Sequence, residues 1–311
     1  MTGASVNARV ALFTGQDVGF QLVEGMANRG DIDLFVVTNR TARDDSYGYR
    51  SAVDPCIARQ IPLRETSRVD ATTIEQLASF SPDLIISAYY PHIIPLAARK
   101  LSRIRPVNVH PGLLPAYRGK FPTPWYILNG ATEFGLSIHR LDGGIDTGPV
   151  LVQRQYPIDP EETGHSLYRK TMDCAVTLIL EHLDDLLADR LKDRPQVGVG
   201  TYYDSIERRF PINWNMSARD IERRVRVHAK PYFPAFTFVM NHLVSINRVR
   251  MFTPEEYTAQ GGGKIIAVYD DGRFVVSCCD GCVMVEDYEV CPSLPRGPVI
   301  RLLRLAGSCT S

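Results

Sequence analysis

Short apolar runs alternating with amphipathic stretches organise the N-terminal part of the chain. Residues 9–14 form such a run, closed by Gly15 and Gly19, and residues 20–28 then place Leu22, Val23 and Met26 on one side of a helix. A strand, a glycine turn and a helix in this order predict the opening of a doubly wound α/β fold. Residues 33–38 read as a second buried strand, and residues 82–88 as a central one, because consecutive apolar positions suit a strand covered on both faces. Between them, the polar stretch 39–59 predicts a partly disordered loop and residues 74–80 a helix. Further on, the pattern predicts a helix over 121–129, a strand over 134–139 and, where polar residues alternate outward at 149–156, an edge strand. A long amphipathic helix follows over 163–191, with Leu167, Met172, Val176 and Leu183 able to cover the sheet.

The pattern changes after residue 191. Charged residues, proline and glycine in 192–200 lack a core-forming period, which predicts a first domain over 1–195, a linker over 196–215 and a second domain over 216–311. In the second domain a short helix at 218–228 precedes short apolar runs at 235–239, 242–247, 264–269, 273–278 and 282–286. Turns such as Asp280-Gly281 separate them, and together they predict a small antiparallel barrel. Cys279 and Cys282 have the spacing of half a zinc knuckle, but no second pair accompanies them and Asp-Gly is a hairpin signature, so no metal is expected.

At 311 residues, 44% hydrophobic and 23% charged, the chain has the make-up of a two-domain globular protein with ample core. Its 35 basic and 35 acidic residues cancel, and residues 210–311 hold 12 Arg and Lys against 10 Asp and Glu. No broad cationic field favours nucleic acid or a membrane surface. No run approaches the ~18 apolar residues of a membrane span, and the first residues lack the apolar core of a signal peptide, so a cytoplasmic protein is expected. Seven cysteines at scattered spacings do not build a disulfide framework. Gly15 and Gly19 do not form the G-x-G-x-x-G fingerprint, which disfavours a dinucleotide-dependent hydride transfer.

Candidate chemistry concentrates in residues 107–151. Asn108 and His110 close a short strand whose alternation points both side chains to one face, and Pro111, Gly112 and Pro115 turn the chain immediately afterwards. Asp146 lies in a glycine-rich loop that can approach a ligand closely with its backbone. An amide donor, an imidazole and a carboxylate that orients the imidazole suit acyl transfer, in which Asn108 steadies an oxyanion and Asp146 favours the charged ring. Taken singly, Asn-x-His at a strand end serves as a turn feature and an aspartate among glycines as an Asx turn.

With its flanks, the segment resembles the folate-dependent formyltransferases. Their pattern of Asn-x-His, Leu-Leu-Pro-x-x-x-Gly and His-x6-Asp-x-Gly is met by Asn108 and His110, by residues 113–119, and by His139, Asp146 and Gly148. Tyr117-Arg118-Gly119, Trp125 and His139-Arg140 are most similar to amino-sugar N-formyltransferases, such as the formyltransferase domain of the lipid A aminoarabinose pathway enzyme. The resemblance implies a doubly wound, mostly parallel Rossmann-like sheet with a smaller C-terminal OB-like β domain. It also implies formyl transfer from 10-formyltetrahydrofolate to a primary amine, with Asn108, His110 and Asp146 catalytic and His139 in support. Tyr90, His92, Ile93, Asp142 and Gly144 are then the donor contacts, and Tyr89, Arg118, Gly119 and Trp125 the acceptor contacts. The acceptor this favours is a small molecule, a nucleotide-linked amino sugar whose diphosphate meets Arg118. A methionyl-tRNA formyltransferase, a formyltransferase for another small amine, a formyltetrahydrofolate hydrolase and a non-catalytic folate-binding module stay open, as does oligomeric state, a homodimer included. Members acting on methionyl-tRNA tend to carry methionine where His139 stands.

Overall fold

The first strand, β1 (Ala8–Thr14), is followed by α1 (Gln16–Ala27), β2 (Ile32–Thr38), α2 (Val53–Arg59), β3 (Leu63–Glu65) and α3 (Ala71–Phe80). Next come β4 (Leu84–Ala88), α4 (Leu96–Arg99), β5 (Val107–His110), β6 (Arg118–Gly119), α5 (Thr123–Leu128), β7 (Glu133–Arg140) and β8 (Val150–Pro157). The chain continues through α6 (Gly164–Glu181), α7 (Leu183–Leu187), β9 (Tyr202–Tyr203) and α8 (Ala218–His228). It closes on β10 (Ala235–Val239), β11 (His242–Phe252), β12 (Ile265–Val268), β13 (Phe274–Ser277) and β14 (Cys282–Cys291). This computed structural model describes residues 7–39, 47–252, 261–292, 297, 299–301 and 303–304. Among the described residues no helix is long and apolar enough to cross a membrane.

Contacts divide the chain into two units. The first comprises Met1–Thr123, Glu133–Pro157 and Arg169–Asp204, and the second Pro124–Thr132, Ile158–Tyr168 and Ser205–Ser311. In the first unit a seven-stranded sheet has the order β3-β2-β1-β4-β5-β7-β8. β1 to β5 run parallel, whereas β7 and β8 are antiparallel additions. Val10 to Phe13 and Leu84 to Ile86 are wholly buried, as a parallel strand covered on both faces requires. Strand order reverses between β1 and β4, where sheets of this kind open a crevice at their carboxyl ends. As expected, β8 is an edge strand.

The second unit holds a five-stranded antiparallel sheet, β10-β11-β14-β13-β12, in which β11 and β14 pair along most of their length. One face packs on α8, whose Ala218, Ile221 and Val225 recur at helical spacing and are buried with Val244, Ile246 and Phe274. Cys279 and Cys282 lie in the β13–β14 hairpin, where Ser277 pairs with Cys282.

Two elements depart from the pattern read in the sequence. Residues 53–59, expected as loop, form α2, with Val53, Pro55 and Cys56 buried; residues 40–46 of that loop lie outside the described residues. The long helix divides at His182, whose backbone N–H bonds to Ile179 at 3.2 Å, a tightened turn that ends α6 before α7 begins.

The pairing of β5 with β7 positions the chemistry. Asn108 lies opposite His139, and His110 opposite Ser137. Ser137 is buried and fastens the turn after β5: its Oγ accepts from the Leu114 N–H at 3.2 Å and donates to the Gly112 carbonyl at 2.5 Å. Gln153 on β8 adds a bond from Nε2 to the Leu114 carbonyl at 2.8 Å. Gly135 lets this turn lie on β7, since a Cβ there would sit 2.0 Å from Leu113 Cγ. Gly135→Ala is therefore expected to lower unfolding stability by about 1–3 kcal/mol through overpacking. Denaturant melts check this, and a variant as stable as the wild type would show that Leu113 moves aside freely.

Candidate functional site

The side chain of Asp146, only 12% exposed, is the centre on which the site converges. Its Oδ2 accepts the Gly119 N–H at 2.9 Å and lies 3.5 Å from His110 Nδ1, while Oδ1 lies 3.5 Å from His139 Nε2. The outer nitrogens of the two rings fix their tautomers. His110 Nε2 faces the Tyr117 carbonyl at 2.6 Å and His139 Nδ1 faces the Arg140 carbonyl at 2.9 Å, so each must carry a hydrogen. In the neutral rings this leaves lone pairs on His110 Nδ1 and His139 Nε2, both turned toward Asp146. Asn108, facing His139 across the β5–β7 pair, donates from Nδ2 to His139 Nε2 at 3.1 Å. Its second amide hydrogen has no protein partner among the described residues.

Burial pushes the His110 imidazole below its ordinary value, against the opposing pulls of the Asp146 carboxylate and the Tyr117 carbonyl. Burial also works to raise Asp146. Contact with His139 and the charge of His110, each when its ring is protonated, and the Gly119 N–H outweigh burial and hold the carboxyl below the usual range. A neutral imidazole with its free lone pair beside an ionised carboxylate is a proton acceptor. A proton arriving at His110 Nδ1 would leave the ring hydrogen-bonded on both sides, to Asp146 and to Tyr117.

The loop from Tyr117 to Gly119 is shaped for this contact. Gly119 has φ +103, and a Cβ there would lie 2.2 Å from the Tyr203 carbonyl, so glycine is required where its N–H meets Asp146. The loop pairs with β9 in a small parallel ladder, and the Tyr117 ring stacks on Tyr203 with centroids 5.1 Å apart. Arg118 directs Nε and Nη2 to Gln196 Oε1 at 3.2 and 2.6 Å and Nη1 to the Tyr202 hydroxyl at 3.1 Å. All these partners are neutral, so no carboxylate among the described residues compensates its charge.

The other residues singled out in the sequence lie in three places. Tyr89 and Tyr90 leave the end of β4; the Tyr90 ring packs edge-on against Phe13 and against His92, in a buried cluster with Ile85 and Ile94. Burial pushes the Tyr90 phenol up to about 12. Ile93 points outward at 80% exposure. Asp142 and Gly144 are exposed in the glycine-rich loop, where Asp142 Oδ1 accepts from the Gly144 N–H and the Thr147 hydroxyl, an Asx turn that shapes the approach to Asp146. Arg99 ties this loop to the segment after β4, its Nη1 reaching the Asp142 carbonyl at 2.6 Å. Trp125, on α5, is counted with the second unit and not with the residues around Asp146. Sequence reasoning missed Ser137, Gln153 and Gln196, polar residues with no motif whose partners are set only by long-range register.

Comparison with known proteins identifies the family. The family described as "Formyl transferase" matches residues 8–183, and "Formyl transferase, C-terminal domain" matches residues 207–290. The chain belongs to the formyl transferase family. It is 30% identical over 295 residues to a methionyl-tRNA formyltransferase of Pelobacter propionicus, covering 92% of this chain and 90% of that one. To the methionyl-tRNA formyltransferase of Nitrosomonas europaea it is 32% identical over 276 residues, covering 86% and 84%. Among solved structures it is similar to WlaRD, a sugar 3N-formyl transferase solved in the presence of dTDP and 5-N-formyl-THF, with a TM-score of 0.69, 19% identity and coverage of 94% and 100%. An N-formyltransferase from Helicobacter canadensis, in complex with folinic acid and dTDP-3-aminofucose, gives a TM-score of 0.69, 18% identity and coverage of 91% and 99%.

The environment of His110 is directly measurable. Its ring, followed by NMR in the unliganded protein, is expected to titrate below the ordinary value of 6.5. In Asp146→Asn it should titrate lower still, because the anion that favours the imidazolium is gone. A midpoint that rises in Asp146→Asn would contradict the contact.

Proposed function

We propose that this formyl transferase moves a formyl group from 10-formyltetrahydrofolate to the primary amine of a nucleotide-linked amino sugar. The observation that carries a phosphate-bearing acceptor is the uncompensated guanidinium of Arg118, one residue from the N–H that holds Asp146; the charge balance of residues 210–311 favours the small conjugate. A guanidinium has five N–H donors; three are engaged by neutral partners, leaving two for an anion such as a diphosphate. Exposed Tyr202 beside it supplies aromatic surface, its ring 5.3 Å from the Arg118 guanidinium carbon.

The donor supplies a formyl carbon already activated on nitrogen. Residues that suit its flat aromatic part are Ile93, Leu96 and Ile145, all more than half exposed on two segments joined through Arg99. Tyr90, His92, Asp142 and Gly144 lie on the same two segments. Asn108 uses its second amide hydrogen to steady the oxyanion as the amine attacks, a contact whose loss typically lowers rate ~10²–10³-fold. His110 Nδ1 takes the amine proton, Asp146 stabilises the imidazolium so formed, and the proton passes on to the folate nitrogen as its bond to the formyl carbon breaks. No residue is acylated.

A second reading, methionyl-tRNA as acceptor, draws on the relatives at 30% and 32% identity that carry that name. A phosphate of the acceptor stem could meet Arg118 equally well. Against it stands the near balance of 12 basic and 10 acidic residues in 210–311.

One panel separates these. Purified protein and folate donor are mixed with a nucleotide-linked amino sugar, the free amino sugar or methionyl-tRNA, and products are weighed for the gain of one formyl group. The conjugate is expected to react far faster than the free sugar. Arg118→Ala should lower kcat/KM for the conjugate by about tenfold, the loss of one charge-assisted hydrogen bond, with donor affinity unchanged. Equal efficiency with the free amine, or a preference for methionyl-tRNA, would sink the nucleotide-sugar assignment and leave formyl transfer standing.

A further inference from the structure

The segment from Asp189 to Tyr203 is bound along its length to the pieces of the site. Asp193 pairs with Arg140 at 3.1 Å, and Asp189 pairs with it at 2.5 Å. Arg194 exchanges backbone bonds with Val150 at 2.9 and 2.8 Å. Thr201 accepts the Arg118 N–H on its carbonyl and the Tyr117 N–H on its hydroxyl, both at 2.9 Å, and Tyr203 accepts the Lys120 N–H at 2.9 Å. Most of these are backbone contacts that many side chains would permit.

Gln196 is different. Its Nε2 donates to the Asp146 and Gly148 carbonyls, each at 2.8 Å, while its Oε1 takes both Nε and Nη2 of Arg118. Carbonyls on one side and a guanidinium on the other fix which end of the amide is oxygen, and both donors and both lone pairs are used. Among the described residues no other side chain joins Arg118 to the Asp146 turn. The turn needs such a grip, because Asp146 is a non-glycine residue at φ 54, a conformation that persists where surrounding contacts over-determine it. Gln196 holds its carbonyl from one side as Gly119 holds its carboxylate from the other.

We infer that Gln196 is a positioning residue for formyl transfer: one side chain sets the Asp146 carboxylate against His110 and locks the Arg118 guanidinium in register with it. Gln196 touches no reacting atom and acts through both. The acceptor's anionic group and the proton-accepting pair are thereby held at a fixed separation, the kind of alignment whose loss by about 1 Å lowers rate up to ~10²-fold. Only the kinetic arm of its test rests on the proposed reaction.

Two variants and two measurements test this. Gln196→Met keeps the length of the side chain and removes all four hydrogen bonds. Gln196→Glu keeps an acceptor for Arg118, neutralises its charge and loses both donors. Gln196 is partly exposed, so neither change opens the core. In the unliganded protein, the NMR titration of His110, whose facing titratable groups are Asp146 and His139, is expected to move to lower pH in Gln196→Met as the carboxylate loses its set position. With the acceptor that the wild type formylates, Gln196→Met should lower kcat roughly 10- to 100-fold, with melting temperature and donor affinity close to wild type. Gln196→Glu should in addition raise KM for the phosphate-bearing acceptor. An unmoved His110 titration in Gln196→Met overturns the inference whatever the acceptor proves to be, and so does an unchanged kcat. Failure of every amine to react would defeat the proposed function while leaving the titration to decide the role of Gln196.

Discussion

A carboxylate kept ionised in a largely buried position constrains everything around it. Removed from water, Asp146 would take up a proton unless hydrogen bonds and opposite partial charges replaced its hydration. One hydrogen bond comes from the Gly119 N–H in the segment between β5 and β7; His110 at the end of β5 and His139 on β7 face the carboxylate at 3.5 Å, and a proton on either ring gives it an opposite charge. The pairing of β5 with β7 exists in a register that puts Asn108 opposite His139, so a slip by one residue would turn both away. Gly119 follows from the same demand, since any side chain there would strike Tyr203 and withdraw the N–H from the carboxylate.

The arrangement divides labour between two histidines of similar placement. Each donates its outer N–H to a carbonyl and turns a lone pair toward Asp146, but Asn108 occupies that of His139 and leaves that of His110 open. In the proposed reaction the open one receives the proton. On that reading, His139 belongs to the scaffold that orients Asn108 and Asp146, and His110 to the path of the proton. Beyond this pair, the segment from Asp189 to Tyr203 holds the loops that carry Asp146 and Arg118, so a stretch with no secondary structure of its own, apart from the short β9, governs the shape of the site.

Much of this was legible in the sequence, for identifiable reasons. Asn108 and His110 stand two apart, and a period of two puts both on one face of a strand whatever else the fold does. Asp146 was marked by its glycines, and the parallel strands β1, β2 and β4 by runs of consecutive apolar residues. What escaped reading depends on distance along the chain. Gln196, Ser137 and Gln153 are ordinary polar residues until the fold brings them to Asp146, Gly112 and Leu114. Helix α2 was hidden by its polar surroundings, since it buries only three side chains. The division of the long helix at His182 carries no proline or glycine to announce it.

The account holds that Asp146 acts on the chemical step, through His110, and not on binding of the folate. A single-turnover experiment on Asp146→Asn, with 10-formyltetrahydrofolate bound beforehand and the formylated amine followed by mass spectrometry, addresses this directly. The formyl-transfer rate is expected to fall by at least ~10²-fold while the amount of donor bound stays that of the wild type. A wild-type single-turnover rate in Asp146→Asn, or a loss explained wholly by failure to bind the donor, would contradict it.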